Sequence, residues 1–221
     1  IKCEEKVFPR VPFMELGYQL QVHGSKGYAG VVTLSKQKPA EVVKGFRAEP
    51  TDSHCRILNT VIGGVRIYNL YVPNGTALGT EAFAYKLQWL ERLRLELDAS
   101  ARADEPLLLC GDFNIAPDAR DLVDPASMAG CTHFSPEEHA ALARLQEFGL
   151  RDCFRKFNQE PGQFTWFDYR AGAFRKHQGM RIDHVYATAP LYERCVEVLH
   201  DAAPRSWESP SDHIPVLAKF A

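Results

Sequence analysis

The chain has 221 residues, 45% of them hydrophobic and 24% charged, with a formal net charge of −2. These values suit a soluble globular chain, exclude a disordered one, and give no broad basic field for coating nucleic acid. No apolar run reaches membrane-spanning length, and the six scattered cysteines form no CxxC pair or compact framework, which points to reduced thiols in a cytosol.

Residues 1–15 are mixed and charged, and Pro9 and Pro12 are expected to break them. Alternation from Tyr18 to Val22 predicts a half-buried strand, with Val31 to Leu34 as its hairpin partner. The glycine-rich turn between them carries Lys26 and Tyr28. It either closes the hairpin or brings its backbone and those side chains to a phosphate chain. Arg56 to Val61 and Val65 to Val72 predict two more strands around Gly63-Gly64. The second leaves through Tyr71-Val72-Pro73-Asn74-Gly75, with a phenol and an amide at the strand mouth. Thr80 caps a helix whose apolar stripe is Phe83, Leu87, Leu90, Leu93 and Leu97, and its charges read as a solvated face.

Leu107-Leu108-Leu109-Cys110 predicts a buried strand running into Gly111-Asp112-Phe113-Asn114. Asp112 and Asn114 face the same way if the extended path continues. Side by side they suit a hard cation and a phosphate oxygen; a plain Asx turn is the other reading. Ser135-Pro136-Glu137-Glu138 is a capping box, opening a helix with Leu142, Leu145 and Phe148 buried and Gly149 as its stop. Phe164 to Arg170 is dense in aromatics. Trp166, Phe167, Tyr169 and Arg170 cannot all face inward on one strand, so some line a surface or pocket. Arg181 to Tyr186 predicts another strand, and Ser211-Asp212-His213 follows near the C-terminus.

This alternation gives an α/β fold with mixed or antiparallel sheets, and the lack of a linker predicts one domain over residues 1–221. There is no GxGxxG, P-loop or glycine-flanked serine motif. Three polar clusters each end a strand: Asp112/Asn114, Asp183 and Asp212/His213. One Asp beside a divalent ion and another bonded to a histidine is a recurring hydrolytic arrangement.

GDFN at 111–114, YVPNG at 71–75, FTWFDYR at 164–170, GMRIDH at 179–184 and SDHIPV at 211–216 together resemble the exodeoxyribonuclease III family. That family stands in the exonuclease–endonuclease–phosphatase superfamily of metal-dependent phosphodiesterases, and the match runs over essentially the whole chain. The resemblance implies a four-layer fold: a two-sheet β-sandwich flanked by helices, with the site at one end of the sheets. It implies cleavage of duplex DNA at abasic sites and trimming of 3′ ends. The implied cofactor is Mg²⁺, with Mn²⁺ as an alternative. A cytoplasmic monomer of bacterial type, with no membrane association, completes the expectation.

Roles follow from the motif positions. Asp112 would orient or deprotonate the attacking water, and Asn114 would hold the scissile phosphate. His213 would bind or protonate a phosphate oxygen, oriented by Asp183. Asp212 would lie at the metal with Asp112, and Tyr71 and Asn74 would contact the phosphate. Trp166, Phe167 and Met180 would form a pocket for a flipped-out abasic sugar. Lys26, Tyr28, Asn74 and Arg170 would add backbone contacts, giving local binding with a shallow salt slope. The sequence does not divide acid and base roles between Asp112 and His213. Family members also carry a WN-type asparagine and an LQE-type glutamate, the principal metal ligand, before the residues that match Ile1–Glu4. The resemblance thus implies an incomplete N-terminus, short of a strand–helix–strand unit of roughly 30 residues, and weak metal binding and cleavage without it. Two other classes compete. One is a superfamily branch acting on inositol phosphates, lipids or RNA tails, which the aromatic segment and Arg170 disfavour. The other is a non-catalytic DNA-binding remnant.

Overall fold

The computed structural model describes residues 1–27, 29–48 and 54–221. The strands are β1 (Gln19–Gly24), β2 (Gly30–Ser35), β3 (Glu41–Lys44), β4 (Ile57–Ile62), β5 (Val65–Tyr71), β6 (Leu107–Asp112), β7 (Arg151–Asp152), β8 (Asp183–Ala187), β9 (Cys195–His200) and β10 (Val216–Phe220). The helices are α1 (Arg10–Glu15), α2 (Glu81–Ser100), α3 (Pro125–Met128), α4 (Pro136–Gln146) and α5 (Ala189–Tyr192). Pro12 does not break the first segment. It sits in the first turn of α1, where its missing N–H costs no helical hydrogen bond.

Side-chain alternation in β6 explains the layering. Leu107 and Leu109 point to one face, against Trp89, Leu90, Leu93 and Leu97 of α2 and Leu142 and Leu145 of α4. Leu108 and Cys110 point to the other, where they meet a cluster containing Val198, Val216 and Ala218. A strand apolar on both faces has to be covered on both. Each fully buried leucine contributes about 1.5–3 kcal/mol relative to exposure. The resulting six-stranded sheet has the order β3-β4-β5-β6-β8-β7, parallel only between β5 and β6. The second strand layer is two separate antiparallel hairpins, β1-β2 and β9-β10. Asn69 ties one of them to the sheet by donating to the Val32 carbonyl at 2.8 Å.

The caps hold as read: Thr80 accepts from Phe83 N, and Ser135 and Glu138 form a reciprocal box. The solvated face expected of α2 is not uniform. Lys86 and Glu96 are buried with the apolar stripe, because each finds a polar partner distant in sequence, Glu138 for Lys86 and the Arg47 backbone N–H for Glu96.

Candidate active site

β5 and β6 end, and the antiparallel β8 begins, side by side, and the loops joined to them line a cavity of about 720 Å³. Tyr71, Asn74, Asp112, Asn114, Trp166, Met180, Asp212 and His213 line it. Register explains the convergence. Tyr71 lies opposite Asp112 across the parallel pair, and Asp183 lies opposite Asp112 across the antiparallel pair. Gly111 makes room for this: its φ is +138°, and a Cβ there would fall 2.0 Å from the Leu70 carbonyl oxygen.

The chain does not continue extended beyond Asp112. Asn114 takes a left-handed φ of 51° and turns back. Its backbone N–H donates to Asp112 Oδ1 at 2.8 Å, and its Nδ2 donates to Asp112 Oδ2 and the Val72 carbonyl, both at 3.0 Å. Both amide N–H groups are therefore occupied, so Asn114 orients Asp112 and is not free to hold a phosphate through them. Its Oδ1 accepts from Asn74 Nδ2 at 3.2 Å. The Asx turn and the functional pair are one structure.

His213 and Asp183 are bonded, Nδ1 to Oδ2, at 2.8 Å. Asp183 stands behind the histidine and does not itself line the cavity. Burial opposes the imidazolium, yet the Asp183 hydrogen bond and the charges of Asp183, Asp112 and Asp212 raise His213 to about 9. Burial, with the Asp183 charge added, pushes Asp112 up to about 7 against the pull of His213. Burial and the acidic neighbours thus favour a neutral Asp112 carboxyl and a charged His213 imidazole. Trp166 Nε1 donates to Asp212 Oδ2 at 3.0 Å, which fixes the second cavity carboxylate.

Several expected residues fall elsewhere. Phe167 packs in a satellite core with Phe164, Phe174 and Ile214. The backbone follows no regular strand here, so the aromatics do not alternate as assumed, and Tyr169 lines the cavity instead. Arg170 is exposed, and its guanidinium is held by Asp168 two residues away, with contacts of 2.7–3.1 Å. Lys26 is exposed in the β1–β2 turn and does not line the cavity. Tyr28 lies outside the described residues. The sequence reading missed His133, which lines the cavity with Nδ1 2.7 Å from the Asn114 carbonyl oxygen. Its one sequence signal is its place two residues before the capping Ser135. Arg181 was read only as part of a strand. It is buried against Asp121 and Asp152, and His184 Nδ1 lies 3.1 Å from its guanidinium. His184 Nε2 reaches the Ile115 carbonyl at 2.8 Å, beside the Asn114 turn.

Comparison with known proteins decides the family. The Endonuclease/Exonuclease/phosphatase family matches residues 5–213. The chain belongs to this family. Within it, the chain is 36% identical over 232 residues to exodeoxyribonuclease III of Haemophilus influenzae, a match spanning 100% of this chain and 87% of that protein. An AP endonuclease structure from Archaeoglobus fulgidus superposes with a TM-score of 0.93 at 36% identity, covering 99% of this chain and 85% of that one. A Neisseria 3′ phosphatase bound to a product DNA hairpin gives 0.95 at 35% identity, covering 100% and 86%. The chain is thus a hydrolase of the exodeoxyribonuclease III type, in a family of metal-dependent nucleases. The fold is that of its neighbours, with a large mixed sheet flanked by helices.

Proposed function

We propose that the protein is a DNA-repair phosphodiesterase that cuts the backbone at abasic sites and trims 3′ ends of duplex DNA. The observation that carries this reading is one cavity lined both by Asp112 and His213, the latter held from behind by Asp183, and by an aromatic and thioether wall of Trp166, Tyr169 and Met180. The named activities of its relatives support it. A flipped-out sugar without a base fits such a wall, and extrusion costs least where no base is stacked.

The donor set fits a hard divalent cation. Among the described residues there is no cluster of three or more His, Cys, Asp or Glu that could hold a metal ion. The cavity instead offers two carboxylates, Asp112 and Asp212, as Mg²⁺ commonly uses, with phosphate and water completing its shell. Asp212 and Asp112 would hold the ion, which when bound neutralises phosphate charge and acidifies water. Asp112, held ionised by the cation's charge when the ion is bound, takes the proton of the attacking water. His213, held protonated by Asp183, donates to a phosphate oxygen. Asn114 fixes the direction of the Asp112 carboxylate, and Tyr71 and Asn74 line the entry of the strand being cut. Mn²⁺ fits the same oxygen set.

We further propose a single-domain monomer in the cytoplasm; the six free thiols support the compartment alone. A substrate panel tests the proposal. Duplexes carrying an abasic site or a 3′ phosphate should be hydrolysed, and inositol phosphates should not. Hydrolysis of the inositol phosphates alone would move the protein to another branch of the family.

A further inference from the structure

Lys86 lies in the second turn of α2 with its side chain wholly buried, and it does not line the cavity. An ammonium group has three donors, and here each has an acceptor. Nζ donates to the Asn114 carbonyl at 2.6 Å, to the Asn74 carbonyl at 3.1 Å, and to Glu138 Oε1. Glu138, equally buried in α4, also accepts from His133 N at 3.0 Å, Ser135 N at 3.0 Å and Ser135 Oγ at 2.8 Å. A buried pair is costly to desolvate, and a hydrophobic pair of similar volume would stabilise the fold at least as well. What this pair adds is position. Its ammonium joins the mouths of two strands, residues 72–75 and 112–115, which are not sequence neighbours. Asn114 there holds a left-handed backbone that a side-chain-bearing residue seldom adopts unaided. Beside it, the Lys86 stem packs under Gly75, where a Cβ would lie 2.9 Å from Lys86 Cδ.

We propose that Lys86 and Glu138 are positioning residues: they clamp the main chain of Asn114 and Asn74, and through Asn114 fix the aim of the Asp112 carboxylate. This rests on the site assignment given above. Neither side chain touches substrate, and Asn74 is one substrate contact among several, so the pair acts mainly on the chemical step and little on DNA affinity.

The test is the double variant Lys86→Met/Glu138→Gln, which removes the clamp without leaving an unpaired buried charge. Two readouts are taken on the full chain: single-turnover kinetics on an abasic duplex, and the side-chain amide resonances of Asn114 and Asn74 by NMR. The chemical rate should fall by about 100-fold, the order lost when a reacting group is misplaced by an ångström. The half-saturating duplex concentration should stay within about threefold, as expected when only transition-state interactions are lost. Both amide resonances should move. A folded double variant with the native rate and native resonances would overturn the proposal. If the unaltered protein does not cut abasic DNA, the proposed function fails, and the resonances alone then decide the clamp. If the double variant does not fold, Lys86→Gln/Glu138→Gln carries the test, because it leaves no unpaired buried charge, keeps amide partners for the buried polar groups and retains the capping-box geometry. It should slow the chemical step by about tenfold and move the same resonances. A native rate with unmoved resonances would overturn the clamp.

Discussion

Replacing Asp183 with Asn should uncouple His213 from its charge. Burial opposes the imidazolium, and the acidic neighbours outweigh it, raising the group from 6.5 to about 9. A displacement of that size corresponds to about 3 kcal/mol. The His213 and Asp183 side chains are 30% and 17% exposed, so solvent screening trims this to about 1–3 kcal/mol. The sign follows from the raised folded-state value. The pair's contribution to stability is fully present below about pH 6.5 and is lost as pH rises through 9. In Asp183→Asn the hydrogen-bonded anion is gone, and burial is opposed by Asp112 and Asp212 alone, so His213 should titrate below the native group. At pH 8 the native imidazole is charged and the variant's is charged to a smaller extent. Loss of an oriented, protonated group of this kind typically costs 10²–10⁴-fold, so the cleavage rate at pH 8 should fall by about 10³-fold. Ring-carbon NMR titration of His213, with single-turnover cleavage from pH 5 to 9, measures both effects. A native His213 that titrates near 6.5, or a variant that titrates like the native protein, would refute this account of the pair.

Trp166→Phe removes the indole N–H from Asp212 and should raise the Mg²⁺ concentration for half-maximal cleavage by about 10-fold, read from a metal titration. Asp112→Asn should lower turnover by at least about 10³-fold. The stability that Asp112 contributes when protonated is present below about pH 4 and lost as pH rises through 7. Melting of the metal-free variant at pH 8 should therefore occur at no lower a temperature than that of the native protein. Asp121→Asn leaves Arg181 and Arg155 without their shared carboxylate and should destabilise the fold by about 3 kcal/mol in urea unfolding. His184 is buried and held down to about 4 by burial and by the Arg181 charge. Its stability contribution is present above pH 6.5 and disappears as pH falls through 4, a loss of about 3 kcal/mol that His184→Gln should abolish.

Local signals carried the reading of this chain where the deciding physics is local. The Thr80 cap, the Ser135–Glu138 box and the leucine run of β6 each announce an element from a few adjacent residues, and each stands where it was expected. Burial of Lys86 and Glu96 was invisible, because their partners lie far away in sequence: Lys86 and Glu138 are 52 residues apart. Phe164 to Arg170 misled in detail. An irregular backbone has no fixed period, so Phe167 turned into the core while Tyr169 reached the cavity. The Asn114 turn was likewise beyond a strand-period argument, since a left-handed residue breaks the alternation that the argument uses. Pairing of Asp183 with His213, 30 residues apart, came into view through the family resemblance and not through spacing.

The central claim is that these residues form one metal-dependent site selective for DNA that lacks a base. Its most direct test is the ratio of kcat/KM for a duplex with a single abasic site to that for the same duplex intact, measured in Mg²⁺ and again after metal removal with chelator in excess. The account predicts a preference of about 100-fold or more for the abasic duplex, the order expected from the cost of extruding a paired and stacked base, and loss of cleavage in chelator. Equal rates on the two duplexes, or undiminished cleavage in chelator, would contradict it.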